Sequence, residues 1–317
     1  MPASGHEAFT PIPPLANLVL RDRLVTAMRR WFHEAGFFEV ETPVRIPAPA
    51  PEPNIDCPPS AGAWLRASPE LQMKRLLAAG AERIFQFGPC FRERERGARH
   101  NPEFTMLEWY RAGAGSMDIL DDARALLRSS VREALGGAPV LRRDGIAVDL
   151  DADWEWIPVR EAFRRWAGWD PAAAWDGERF DLDLALKIEP SLPRDRVCVL
   201  GDYPAPAASL ARLKPGDPLV AERWELYAAG MELANAYGEL ADGAEQRRRF
   251  EAAVAKRKEL GEPDYGLDES FLGDLESGRF PPCGGIAVGV DRLAMLVCGA
   301  GSIDLVRPFC PPVGECW

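Results

Sequence analysis

No apolar run in the sequence is long enough to cross a bilayer, which takes about twenty consecutive residues. The opening segment, MPASGHEAFTPIPP, lacks the basic and apolar parts of a secretion signal, so a cytoplasmic location is expected. The seven cysteines (Cys57, Cys90, Cys198, Cys283, Cys298, Cys310 and Cys316) include no close pair at metal-ligand spacing. An odd, dispersed set of this kind reads as reduced thiols, and no structural zinc site is expected. There is no internal repeat. The glycine-rich GGIAVGVDR has neither the Lys-Ser/Thr ending of a P-loop nor the Rossmann spacing. Its glycines more simply let another group approach a strand closely. Positive charge is also short: 38 Lys and Arg stand against 49 Asp and Glu, a net −11. That argues against non-specific nucleic-acid binding but leaves room for a local basic groove.

What remains is a chain of 317 residues, 47% of them hydrophobic and 27% charged, ample for a large core. Residues 1–17 form a Pro-rich tail. From Leu18, apolar residues recur at three- and four-residue steps (Leu20, Leu24, Val25, Met28, Phe32, Ala35) and predict a helix closed by Gly36. FFEVETP follows as a short strand stopped by Pro43, and residues 45–63 read as a loop. In SPELQMKRLLAAG, Ser68 is the predicted N-cap, with Pro69 at the first helical position and Gly80 past the end. RIFQFGPCF and FTMLEWY read as two strands of a hairpin around a charged loop, Glu93–Arg99. Residues 113–196 read as a peripheral insertion. RVCVLGDYP and ERWELYAAGMELANAYGEL predict further strands. Asp242 with Glu245 starts a helix as a capping box, and GGIAVGVDRLAMLV predicts a strand running into a helix.

Three of these stretches carry charge where a core strand avoids it. Period-two geometry puts Phe104, Met106, Glu108 and Tyr110 on one face. A carboxylate on so apolar a face is costly unless it meets a cation or donors. A structural ion pair, a solvated face and a ligand site all fit that observation. Asn235, Tyr237 and Glu239 repeat the pattern, and together the two strands suggest a pocket suited to an ammonium group. Glu225 and Glu232 are either exposed strand residues or a carboxylate pair that holds magnesium against phosphates.

Taken together, GFFEVETP, FRERERGARHNPEF and GGIAVGVDRL resemble motifs 1, 2 and 3 of the class II aminoacyl-tRNA synthetases. HNPEFTMLEWY and ELANAYGEL are similar to the lysyl branch. Fewer than twenty residues precede the motif 1 helix, so no N-terminal anticodon-binding OB domain is expected. In this the chain resembles the free-standing ligase family that attaches (R)-beta-lysine to elongation factor P. Ala287, where lysyl-tRNA synthetases carry the middle glycine of motif 3, points the same way and is linked in that family to beta-lysine.

The resemblance implies an α+β fold over a single domain, residues 1–317: a mostly antiparallel sheet flanked by helices. It also implies a homodimer through motif 1, with tRNA not expected as a partner. It implies ATP and Mg2+ as cofactors. Arg92 would hold the α-phosphate and the substrate carboxylate, with Arg92 and Arg292 as the catalytic residues. Phe104 and Arg292 would sandwich adenine, and Arg99 and His100 would meet the outer phosphates. Glu225 and Glu232 would hold Mg2+. Glu70 would meet the amino group near the carboxylate, Glu108, Tyr110 and Glu239 the distal ammonium, while Asn235 and Ala287 shape the pocket. One position departs from the pattern: Arg94 stands where motif 2 usually has an adenine-reading glutamate. Two other readings stay open, a truncated lysyl-tRNA synthetase homologue that activates alpha-lysine for another acceptor, and a non-catalytic regulatory paralogue.

Overall fold

The computed structural model describes residues 9–312. The first eight residues of the Pro-rich tail, and Cys316, lie outside the described residues. In chain order the elements are α1 (Leu15–Glu34), β1 (Phe38–Glu39), β2 (Arg45–Ile46), β3 (Pro59–Ser60), β4 (Ala63–Leu65), α2 (Glu70–Ala78), β5 (Arg83–Phe91), β6 (Glu103–Ala112), α3 (Ser116–Leu135), β7 (Val140–Arg143), β8 (Ile146–Asp149), β9 (Glu155–Pro158), α4 (Val159–Trp166) and α5 (Gly177–Asp183). They continue with β10 (Cys198–Pro204), β11 (Leu213–Lys214), β12 (Asp217–Ala228), β13 (Met231–Gly238), α6 (Gly243–Glu259), α7 (Glu269–Glu276), β14 (Cys283–Gly289) and α8 (Val290–Cys298).

Nine strands build the main sheet in the order β1-β5-β6-β14-β13-β12-β10-β9, with β11 beside β12. The pairs β1–β5 and β9–β10 are parallel and the rest antiparallel, so the α+β expectation holds. Period-two alternation gives β6 two different faces. Leu107 and Trp109 point into the core with Phe32, Phe85 and the apolar stripes of α1, α3 and α8. Met106, Glu108 and Tyr110 face the other side, where α2 and α7 close over the sheet through Leu71, Leu77, Phe271 and Leu272.

Helix α1 buries Leu24, Ala27, Met28 and Phe32, the three-and-four spacing of an amphipathic helix. It begins at Leu15, three residues ahead of the sequence expectation, and Gly36 follows it at φ 79°. Helix α2 starts one residue later than expected, with Pro69 as its N-cap. The Ser68 hydroxyl still accepts from the Glu70 N–H at 2.9 Å. Asp242 caps α6 as expected, accepting from the Glu245 N–H at 3.0 Å.

Two expectations need correction. Residues 45–63 are not simply a loop, because β2, β3 and β4 form a small antiparallel sheet there. Residues 113–196 are not peripheral throughout. Ile119, Leu120, Ala123, Leu126, Leu127 and Val131 recur at helical spacing, and that stripe is buried in the main core beside α1. β9 adds an edge strand to the main sheet. Only the α4–α5 region packs as a satellite, through Phe163, Phe180 and Tyr203 on β10. Among the described residues no helix is long and apolar enough to cross a membrane.

Candidate active site

A cavity of about 280 Å3 lies on the face formed by β6, β13, β14 and the end of β12. The loop between β5 and β6 and the start of α2 complete its walls. Every residue singled out above as a candidate side chain, from Glu70 to Arg292, lines it. The register explains how positions so far apart in sequence meet. Ala287 on β14 stands opposite Glu108 on β6 and Asn235 on β13. Gly285 stands opposite Tyr110 and Tyr237. A Cβ at Gly285 would lie 2.3 Å from Tyr110 and 2.5 Å from a Glu239 oxygen. Only glycine lets those two side chains close over the strand.

One end of the cavity is a buried acidic cluster around a single cation. Lys74 reaches Glu70 and Glu239 at 2.5 Å each, and its ammonium lies 5.9 Å from the Tyr110 ring centre. The Tyr110 hydroxyl donates to Glu108 at 2.9 Å, and the Ser68 hydroxyl donates to the other Glu108 oxygen at 2.5 Å. Glu108 and Glu239 are each 1% exposed. Burial, with Glu70 nearby, pushes the Glu108 carboxyl up to about 7. Burial also raises Glu239, more than its Lys74 partner offsets. Burial alone would lower Lys74, but Glu239 and Glu70 hold it well above the ordinary lysine range. Two of the three carboxylates therefore share one ammonium, the third meets only hydroxyls, and among the described residues this end of the cavity is short of positive charge. Asn235 adds a buried Oδ1 with no hydrogen-bond partner among the described residues, while its amide nitrogen donates to the Tyr237 hydroxyl.

The other end is cationic. The Arg92 guanidinium lies 5.2 Å from the Phe104 ring centre. Arg292 donates to the Glu232 carbonyl and carboxylate at 3.1 and 3.2 Å and lies 2.6 Å from His100 Nε2. Burial and Arg292 together lower the His100 pKa. Arg99 reaches the Gly230 carbonyl at 3.5 Å. Phe104 thus lies against Arg92, and Arg292 lines the same cavity.

Glu225 and Glu232 are set by the tight β12–β13 turn, where Ala229 and Gly230 both take positive φ as a two-residue hairpin requires. Arg223 and the Tyr227 hydroxyl donate to Glu225, at 2.8 and 2.7 Å. Burial and the Glu225 charge raise Glu232. No group of three or more metal-type side chains gathers among the described residues. Two mutually repelling carboxylates beside an arginine-rich end still fit Mg2+, which commonly takes one or two carboxylates plus substrate phosphates.

Arg94 is turned away. It sits at φ 64°, is exposed, and pairs with Asp56 and Glu262. Glu95, the next residue, lines the cavity and approaches Arg92 at 3.7 Å. Sequence reasoning passed over Lys74, although its place four residues after Glu70 on a helix was a readable signal. It also missed Arg223, which shares a β12 face with Glu225, and Glu189. Burial, Glu232 and Glu225 push Glu189 up to about 7.

Comparison with known proteins gives the family. Residues 14–312 match the family described as tRNA synthetases class II (D, K and N). A protein of Yersinia enterocolitica named elongation factor P–(R)-beta-lysine ligase is 37% identical over 332 residues, covering 98% of this chain and 99% of that one. Proteins of the same name from Hamiltonella defensa and Pasteurella multocida are 36% and 34% identical, over 95% and 96% of this chain and 97% and 98% of theirs. The chain belongs to the class II tRNA synthetase family, in the branch of the elongation factor P–(R)-beta-lysine ligases.

Proposed function

We propose that the protein activates (R)-beta-lysine with ATP as an acyl-adenylate and transfers it to a lysine side chain of elongation factor P. The observation that carries this reading is the charge balance of the cavity. Glu70, Glu108 and Glu239 bring three carboxyl groups and Lys74 one ammonium, so with Glu108 and Glu239 ionised two further positive charges complete the site. A diamino acid supplies two ammonium groups, and its carboxylate goes to the cationic end. The distal ammonium belongs with Glu108, Tyr110 and Glu239, and the other with Glu70 and the free Asn235 oxygen. Arg92 binds the carboxylate and the α-phosphate through its charged fork, which holds two oxyanions together and offsets charge developing at phosphorus. Phe104 supplies a stacking face for adenine, with Arg292 on the opposite side once turned from Glu232. Arg99 and His100 attend the outer phosphates. Glu225 and Glu232 would hold Mg2+, which neutralises phosphate charge.

A homodimer is part of the proposal. Phe38 on edge strand β1 and Val19 on α1 are apolar and about half exposed, as an interface at motif 1 requires. The test of function is to incubate the enzyme with ATP, elongation factor P and either lysine isomer, then weigh the acceptor protein. A mass gain of one lysyl residue, on a larger fraction of the acceptor with (R)-beta-lysine, supports the reading. Gain with alpha-lysine alone would favour the alternative of an alpha-lysine ligase, and no gain with either isomer would reject transfer to this acceptor.

A further inference from the structure

A second cavity of about 1070 Å3 lies between α5, α6 and the turn at 205–208. It meets the first at two shared residues, Glu52 and Arg223. Arg223 is built into the partition. It donates to the Ala207 carbonyl on one side and to Glu225 on the other, and it stacks on Tyr203 at 4.3 Å. Glu52 is different. It is partly buried, yet its carboxylate makes no ion pair and no hydrogen bond among the described residues. Arg92, Arg223 and Lys74 face it as cations and Glu70 as an anion. Burial first, then Glu70, raises its pKa above the ordinary carboxylate range. A carboxylate held ready at the junction of two cavities, beside the arginine assigned to the reacting carboxylate, is unexplained by the activation half of the reaction.

We propose that the second cavity admits the acceptor lysine and that Glu52 is the base that takes its proton. This deepens the proposed function and rests on it. A lysine side chain arrives as an ammonium, with an ordinary pKa near 10.4, and cannot attack in that form. The Glu52 carboxylate accepts one proton, breaking an N–H bond and forming an O–H bond. The freed amine nitrogen then forms the C–N bond at the acyl carbon while the bond from that carbon to the phosphate oxygen breaks. The second proton of the attacking nitrogen leaves with the phosphate of AMP. The walls suit such a visitor: Trp175, Phe180 and Phe250 can cover the methylene stem, and Asp181 adds negative charge.

The test separates the two half-reactions in Glu52→Gln and in wild type, using ATP–pyrophosphate exchange, transfer to elongation factor P, and acyl transfer to hydroxylamine, a nucleophile uncharged at neutral pH. General-base catalysis contributes on the order of a hundredfold or more. The ratio of protein transfer to exchange is therefore expected to fall about a hundredfold at pH 7. Hydroxamate formation falls far less, and the transfer deficit narrows as pH rises and water deprotonates the lysine. In a second variant, Ala253→Trp on the α6 wall, the concentration of acceptor protein needed for half-maximal transfer rises while hydroxamate yield holds. Equal loss of exchange and transfer in Glu52→Gln, or an undiminished transfer ratio, overturns the base assignment. Undiminished transfer in Ala253→Trp overturns the entry route. Wild-type enzyme that exchanges pyrophosphate but never loads elongation factor P defeats the underlying reading of function instead.

Discussion

Replacing Lys74 with methionine removes the single cation between Glu70 and Glu239 while nearly conserving side-chain volume. Both ion pairs are 2.5 Å long and Lys74 is 2% exposed, so water cannot screen the charges left behind. Breaking a buried pair costs about 3–5 kcal/mol. Here the loss depends on pH, because the abandoned carboxylates can take up protons. At pH 8 the full penalty of roughly 3–5 kcal/mol is expected. At pH 5.5 Glu239, whose carboxyl burial already raises, is protonated, so the charge penalty is largely relieved and the remaining packing loss is about 1 kcal/mol. For a chain of this size roughly 2 °C of Tm follows each kcal/mol, so Tm drops by about 6–10 °C at pH 8 and about 2 °C at pH 5.5. Differential scanning calorimetry of variant and wild type at both pH values measures this. A penalty equal at the two pH values would refute the claim that Lys74 acts by balancing buried charge.

Three further outcomes follow from the same geometry. Glu108→Gln weakens a charge-assisted contact worth about 1.5–3 kcal/mol, so steady-state kinetics are expected to show KM for lysine up by roughly 10- to 150-fold and KM for ATP nearly unchanged. Phe104→Ala removes a stacking face worth about 1–3 kcal/mol per base, which raises KM for ATP roughly 5- to 150-fold and leaves lysine dependence intact. The pH response has a fixed sign. Glu108 titrates near 7 in the fold and Glu239 is also raised, so the native state binds more protons than the unfolded one. Stability without substrate is therefore full below the ordinary carboxylate range and falls as pH rises through about 7. Affinity for a diammonium substrate rises over that same window, which calorimetric titration at pH 6 and 8 checks.

Much of the site was legible because it is carried on strands. Period two alone grouped Glu108 with Tyr110 and Asn235 with Glu239, and the antiparallel register then set those pairs side by side across β14. Helix α3 was misjudged for the opposite reason. Its stripe of Ile119, Leu120, Ala123 and Leu126 is readable as amphipathic, but nothing local says which sheet face it covers. Lys74 was passed over because a lysine on a helix is ordinarily solvated, and its burial depends on Glu239, far away in sequence. Arg94 looked like a missing adenine reader by position. A single left-handed residue in the loop turns it outward and leaves Glu95 on the cavity side. Glu52 sits in a Pro-rich stretch whose path is fixed by tertiary contacts, among them Arg257 donating to the Glu52 carbonyl at 2.7 Å.

ATP–pyrophosphate exchange over a set of related acids tests the central claim most directly, that three carboxylates and one lysine demand a substrate with two ammonium groups. (R)-beta-lysine and alpha-lysine are expected to support exchange, the first better. Norleucine lacks the distal ammonium and 6-aminohexanoate lacks the one near the carboxylate, so each is expected to fail by two orders of magnitude or more, about 3 kcal/mol. Exchange with norleucine as fast as with lysine would contradict the account.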